Sequence, residues 1–433
     1  MAATVVVTVE VAFDGSTFID ISQYVRRAQI RYGRKKLLDE NFAGASQVTV
    51  DNRTNWITPG HSDSTYGATQ LINREIRIRS VVTGGTDAHP TYLWRGYITD
   101  LDYRAGQSSS TVTISSVDGF TKLAKTQILD EDFAEAFTGV RVSEILNFSG
   151  VDYPDETTPA NDRDIDLGYV KAIAASGVTA NTLDYIQKLT RTESGRFLVN
   201  HAGTPSATNK GGVLHFYARN ASSDDHGITV SDSVTLSDGS AEAADLELEW
   251  GSELLFNAYQ FTDGSGTVRT GTQAASIAKY GERVRTMTLL SDGDATTEAG
   301  DFLIGLYDEP TLRVSSVAVD IDSASTATAE KLTHLHVNSS LALSYLPPGS
   351  SDTLSGTYLV EGVRLDISVR DMATNAARIR ATYATAPADT TGYWELGDAV
   401  LGALPTILAP PWLDTSSWRL ADPDLGVLPP QLG

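Results

Sequence analysis

Short runs of alternating apolar and polar residues, each ended by Gly, Asp, Asn or Pro, fill the first 125 residues and constrain the fold more than any other feature. They occur at Val5 to Val11, Gln47 to Val50, Ile76 to Arg79 and Thr111 to Ile114. Successive side chains of a strand point to opposite faces, so each run can bury one face only. Strands of that kind persist when their sheet packs or closes on itself. Residues 1–125 therefore predict a β-barrel or sandwich, closed by Asp118 to Ala124 as it turns into a short helical connection.

Beyond it the pattern changes three times. Residues 126–230 read as α+β: Val140 to Phe148 and Thr182 to Thr192 have helical spacing, the second with Leu183, Ile186 and Leu189 on one face and Asn181 as N-cap. The acidic stretch Asp152 to Asp166 between them reads as a surface loop, and Gly195 to Val199 with Val213 to Tyr217 as a hairpin. Residues 231–386 return to strands around one helix, from about Thr296 to Leu306. Leu93-Trp94-Arg95-Gly96-Tyr97 is echoed there by Leu359-Val360-Glu361-Gly362-Val363, each leading into a hairpin, as a duplicated barrel would require. Residues 387–433 hold about half of the 15 prolines and three of the 6 tryptophans, Trp394, Trp412 and Trp418. Pro lacks a donor and fixes φ, so this segment is expected to be an extended arm, docked on a neighbouring subunit or domain.

At 433 residues the chain exceeds one ordinary core. No window approaches the roughly 20 apolar residues of a membrane helix. The start, MAATVVVTVEVAF, reads as a retained strand without a basic leader, which implies assembly in the cytoplasm. The absence of Cys removes disulfides, thiolate metal sites and cysteine nucleophiles. With a net charge of -22 the chain is unsuited to gripping DNA through its phosphates; such a surface keeps a protein soluble or lets a polyanion slide past.

Catalytic signatures are lacking. There is no G-x-S-x-G, H-E-x-x-H or G-x-G-x-x-G after a strand, and Gly203 to Gly211 lacks P-loop spacing. His334 and His336 would share one side of a strand as two possible metal ligands, with no third in view. Asp292-Gly293-Asp294 opens like a calcium loop, but Thr297 stands where that loop needs Gly, so a helix cap fits better. Glu193 at a helix end reads as a solvated cap. The expectation is a non-enzymatic protein without a cofactor.

One further series is distinctive: Gly33-Arg34, Leu38-Asp39, Ala43-Gly44, the strand Val48-Thr49-Val50-Asp51-Asn52-Arg53, then Pro59. It resembles the N-terminal domain of minor tail proteins of long-tailed phages, especially those infecting actinobacteria, with Val50 where the pattern has Leu. Trp94 to Ile98, Val117 to Ala124, Thr192 to Gly195, Leu214 to Arg219, Asn257 to Tyr259, Tyr280-Gly281 and Leu359 to Val363 are similar to later motifs in the same order. The likeness spans about residues 1–385 and leaves the arm unmatched.

The resemblance implies a mainly β chain with an α+β insertion: two tube-like β-barrel domains, hub-type accessory domains and the extended C-terminal arm. It implies a homotrimeric hub at the virion's tail tip that closes the tail tube and opens for DNA passage. Its partners would be the distal tail protein ring, the tape measure protein and other minor tail proteins, with phage DNA only in transit and the host surface contacted indirectly. Under it, Arg31, Arg34, Lys35 and Lys36 are candidates for a subunit interface meeting a neighbour's carboxylates, and Trp394, Trp412 and Trp418 for another. A solvated edge strand guarded by cations is the alternative for the first set. For the tryptophans it is a sugar platform, as in a carbohydrate-binding adhesin.

Overall fold

Val5, Val7, Val9 and Val11 turn inward while Val6 and Thr8 stay half-buried, so β1 (Val5–Val11) forms as its alternation predicts. The computed structural model describes residues 2–35, 39–62, 64–66, 71–106, 110–148, 151, 163–203, 211–219, 221–231, 240–249, 254–310, 313–346 and 353–388. Lys36, most of the loops expected at 152–166 and 203–211, and the arm from 389 with its three tryptophans lie outside the described residues. Met1–Thr390 form one compact unit.

After β1 come β2 (Ile19–Asp20), β3 (Val25–Gly33), β4 (Phe42–Asp51), β5 (Glu75–Val82), β6 (Thr91–Ala105) and β7 (Ser110–Val117). The α+β stretch holds α1 (Phe120–Lys125), β8 (Gln127–Phe133), β9 (Ala136–Phe137), α2 (Thr138–Leu146), β10 (Arg163–Ile165), β11 (Lys171–Ala172), β12 (Ala175–Asn181), α3 (Thr182–Glu193), β13 (Arg196–Asn200) and β14 (Val213–Tyr217). Then follow β15 (Asp224–Ser231), β16 (Ser240–Glu242), β17 (Asp245–Glu249), β18 (Ala258–Thr262), β19 (Val268–Thr272), α4 (Ala274–Tyr280), β20 (Val284–Thr288) and α5 (Gly293–Tyr307). The last elements are β21 (Arg313–Asp320), α6 (Thr326–His334), β22 (Ser339–Tyr345), β23 (Leu354–Asp371) and β24 (Ala376–Pro387).

The chain is mainly β, and one long hairpin organises it. The half of β23–β24 next to its turn closes a first ring: β23 pairs β3, followed by β4, β7, β6, β5 and β1, and β1 returns to β24 through Val5↔Ala377. The other half serves a second ring, with β22 and β15 on one side and β21 and β17 on the other. Residues 240–249 bridge that ring's gap, where Ala243 N donates to Ser231 O at 3.0 Å and Ala244 N to Ala318 O at 2.7 Å. Closure leaves few free edges for stray pairing. The α+β stretch packs beside the first ring through contacts of β13 with β3 and β4.

The echoed segments do not have equivalent neighbours. β6 lies between β5 and β7, with a bulge against β7 at Ile98/Asp100, whereas β23 passes from β22 to β3 along one side and carries its bulge at Val360/Gly362 against β24 on the other. Glycine is required at both: a Cβ on Gly96 would lie 2.5 Å from Val117 O, and one on Gly362 would strike Arg34 O. Beneath Gly96, Trp94 is wholly buried and donates Nε1–H to Ser116 Oγ at 2.9 Å.

The helices differ from expectation in detail. α2 and α5 begin earlier, and α4 and α6 occupy stretches read as strand. Asn181 caps α3 by accepting from Leu183 N at 3.0 Å and Asp184 N at 3.3 Å, and its amide donates to Ala124 O at 2.9 Å. Asn181→Ala is expected to cost about 1–2 kcal/mol in urea unfolding. Full stability in the variant would show that the cap contributes nothing.

Candidate functional site

The Gly33-Arg34 turn carries the basic cluster to the join between β3 and β23. Val25, Ala28, Ile30 and Tyr32 fill the core, which forces Arg27, Gln29 and Arg31 outward. Arg34 corrects the expectation of a surface cation: it is 8% exposed and its Nε donates to Glu361 Oε2 at 2.7 Å. From β13, Arg196 Nη2 donates to Glu361 Oε1 at 2.7 Å and its Nη1 to Asn338 Oδ1 at 3.3 Å. One carboxylate with no exposure thus holds two guanidiniums, and three distant stretches of chain meet on it. Burial alone would raise Glu361, but Arg196 and Arg34 outweigh it and hold its pKa at about 2.

Arg31 and Lys35 remain exposed. Arg31 stands opposite Arg364 on a face that spans both rings through β3, β23, β24 and β21. Its cations are largely matched internally: Arg364 with Asp366 at 2.9 Å, Arg378 with Asp320 at 2.7 Å and Arg370 with Asp322 at 3.0 Å. Exposed pairs of this kind add little stability, but they leave the face charged with a small net sign. Lys35 lines a cleft of about 30 Å³ with Glu249, Tyr307, Arg313 and Thr385.

Glu193 is a second correction. It is buried, not solvated, and it accepts from Thr138 Oγ1 at 2.7 Å, Tyr169 N at 2.8 Å and Val170 N at 2.9 Å. Its charge serves as an anchor for a loop. His334 and His336 lie at the end of α6 and in the turn after it, not along one strand. Each faces its own carboxylate, Asp87 at 2.8 Å and Asp224 at 2.9 Å. Asp292 caps α5 by accepting from Ala295 N at 2.8 Å. Among the described residues no group of three or more His, Asp or Glu is arranged to hold a metal.

Glu361, Arg196 and Asn338 were missed as a unit. The available signal was a lone charge inside an apolar run, Glu361 after Leu359-Val360 and Arg196 before Phe197-Leu198-Val199.

No family model matches the sequence, and no curated protein matches it. Among solved structures the chain is similar to the tail protein from Neisseria meningitidis MC58, at 10% identity over 88% of this chain and 96% of that one, with a TM-score of 0.53. It is also similar to the 43 kDa tail protein of prophage MuSo2 from Shewanella oneidensis, at 12% identity over 89% and 100% of the two chains, with a TM-score of 0.52. At these identities the likeness is one of fold.

Proposed function

We propose that this chain is a structural, non-enzymatic component of a phage-type tail tip, a hub whose rings continue the tail tube and open for DNA passage. The observation that carries this reading is the extent of the fold likeness, which takes in 88% and 89% of the chain and nearly the whole of two tail proteins. A shared hairpin suits such a part, because load on one ring passes through β23 and β24 to the other without crossing a flexible linker. Three copies carrying two rings each would set six rings about an axis, the match to a sixfold tube that the sequence resemblance implies. The proposed neighbours are the distal tail protein ring, the tape measure protein and other minor tail proteins.

In this reading Arg31 and Lys35 meet carboxylates of a neighbouring copy, while Arg34 belongs to the buried junction. Native mass across a concentration series, with negative-stain images of the same sample, is expected to show a threefold ring with a central channel. Arg31→Glu with Lys35→Glu should return a folded monomer. Rings formed normally by that variant would remove the two residues from the interface, and a wild-type monomer that also fails to join isolated tails would overturn the hub.

A further inference from the structure

We propose that His226 makes β15 of the second ring an acid-labile latch, closed near neutral pH and released when this imidazole takes up a proton. The geometry is unusual for a parallel pair. Asp224 and Asp225 register with Ser339 and Ser340, and Thr229 registers with Ala342, so His226, Gly227 and Ile228 bulge opposite Leu341 alone. Gly227 provides the bend with φ +60°.

The bulge turns the His226 ring towards two others, with centroids 5.7 Å from His336 and 6.0 Å from His334, both edge-on. Its Nε2 is buried without a hydrogen-bond partner. The other two rings have acceptors. His334 Nε2 meets Asp87 Oδ2, and His336 presents Nε2 to Asp224 Oδ2 and Nδ1 to His334 O at 3.0 Å and the Ser339 hydroxyl at 3.1 Å. The remaining charges on the packed elements do not rescue His226. Lys331 of α6 reaches Gly227 O at 3.4 Å and adds a cation, while Glu330 is engaged by Thr86 Oγ1 and Asp87 N of the β5–β6 loop. On its own strand Asp225 accepts from Gly227 N and Asp224 faces His336, so only partial compensation remains.

Burial first, and then the two neighbouring imidazoles, push the His226 pKa down from 6.5 to about 4. The sign follows from linkage: the closed strand binds fewer protons than the released one, so its stability is full above pH 6.5 and declines as pH falls towards 4. Each pH unit in that window favours release by up to about tenfold. β15 is suited to respond, since its pairing with β22 is interrupted at the bulge and β16 holds its other side over Thr229 to Ser231 alone; its release uncovers Ile228 and Val230.

The test is hydrogen exchange of the full chain at pH 7, 6 and 5, corrected for intrinsic rates. The expected result is loss of protection in 226–231 by about threefold from pH 7 to 6 and about sevenfold from pH 6 to 5, with the first ring unchanged, and loss of that dependence in His226→Asn. Equal corrected protection at pH 7 and 5, or an unaltered pH response in the variant, would overturn the latch. If the variant fails to fold, exchange at the imidazole C2 position of the wild-type protein titrates His226 directly. Titration near pH 4 supports the proposal, and titration at or above 6 dismisses it.

Discussion

Glu361→Gln is expected to unfold at much lower urea than the wild-type protein, a loss of about 3–5 kcal/mol. The substitution keeps size and shape but removes the one negative charge between Arg34 and Arg196, both almost wholly buried. Two guanidiniums are then left desolvated without a counter-charge, a cost far above that of a lost surface pair. A triple variant, Arg34→Met, Arg196→Met and Glu361→Leu, should recover much of the loss, because apolar groups of similar volume replace such a cluster at little cost. The pH dependence has a definite sign. The carboxyl titrates at about 2 when folded against 4.5 ordinarily, so its contribution is complete above pH 4.5 and is lost as pH falls towards 2. The gap between wild type and Glu361→Gln should therefore hold from pH 7 to about 5 and narrow below 4. A gap that stays constant down to pH 2, or a variant as stable as wild type, would show that the junction is not held by charge.

The sequence shows which residues of a strand face inward, but not which strand lies beside it. Alternation at Val5 to Val11 and helical spacing at Thr182 to Thr192 were therefore legible, each set by neighbours a few residues away. The pairing of Val5 with Ala377 was not, nor was the ionic junction, in which Arg34 and Glu361 stand 327 residues apart. Gly96 and Gly362 came closest to giving long-range information, since a glycine inside an apolar run marks a close approach of backbone. α6 was hidden for another reason. Thr326 to His334 places Ala329 and Leu332 inward among several Thr, a composition with weak helical preference, and tertiary packing fixes the helix. The basic residues follow the same rule: outward placement of Arg31 follows from the alternation of β3, whereas the inward turn of Arg34 depends on a carboxylate supplied from β23.

Glu193→Ala should cost about 3–4 kcal/mol, and the damage should be local before it is global. A carboxylate in the last turn of a helix opposes the helix dipole, so its presence at the end of α3 already calls for compensating donors. Those donors come from elsewhere: the Thr138 hydroxyl at the start of α2 and the backbone N–H groups of Tyr169 and Val170. Removing the carboxylate takes an acceptor from these groups and from Arg219 N, which reaches Glu193 Oε1 at 3.4 Å, and leaves a void in its place. The loop is close-fitted there, since Gly168 at φ +86° has no room for a Cβ against Thr138 Oγ1. Hydrogen exchange should therefore rise first at 167–171, with Leu167 and Tyr169, already more than half exposed, losing their fixed position. Glu193→Gln retains one acceptor oxygen but turns an N–H₂ group towards a donor, so it should recover less than half of the loss. Exchange that rises uniformly across the chain would make Glu193 a general core residue, and stability equal to wild type would show that water takes over these bonds.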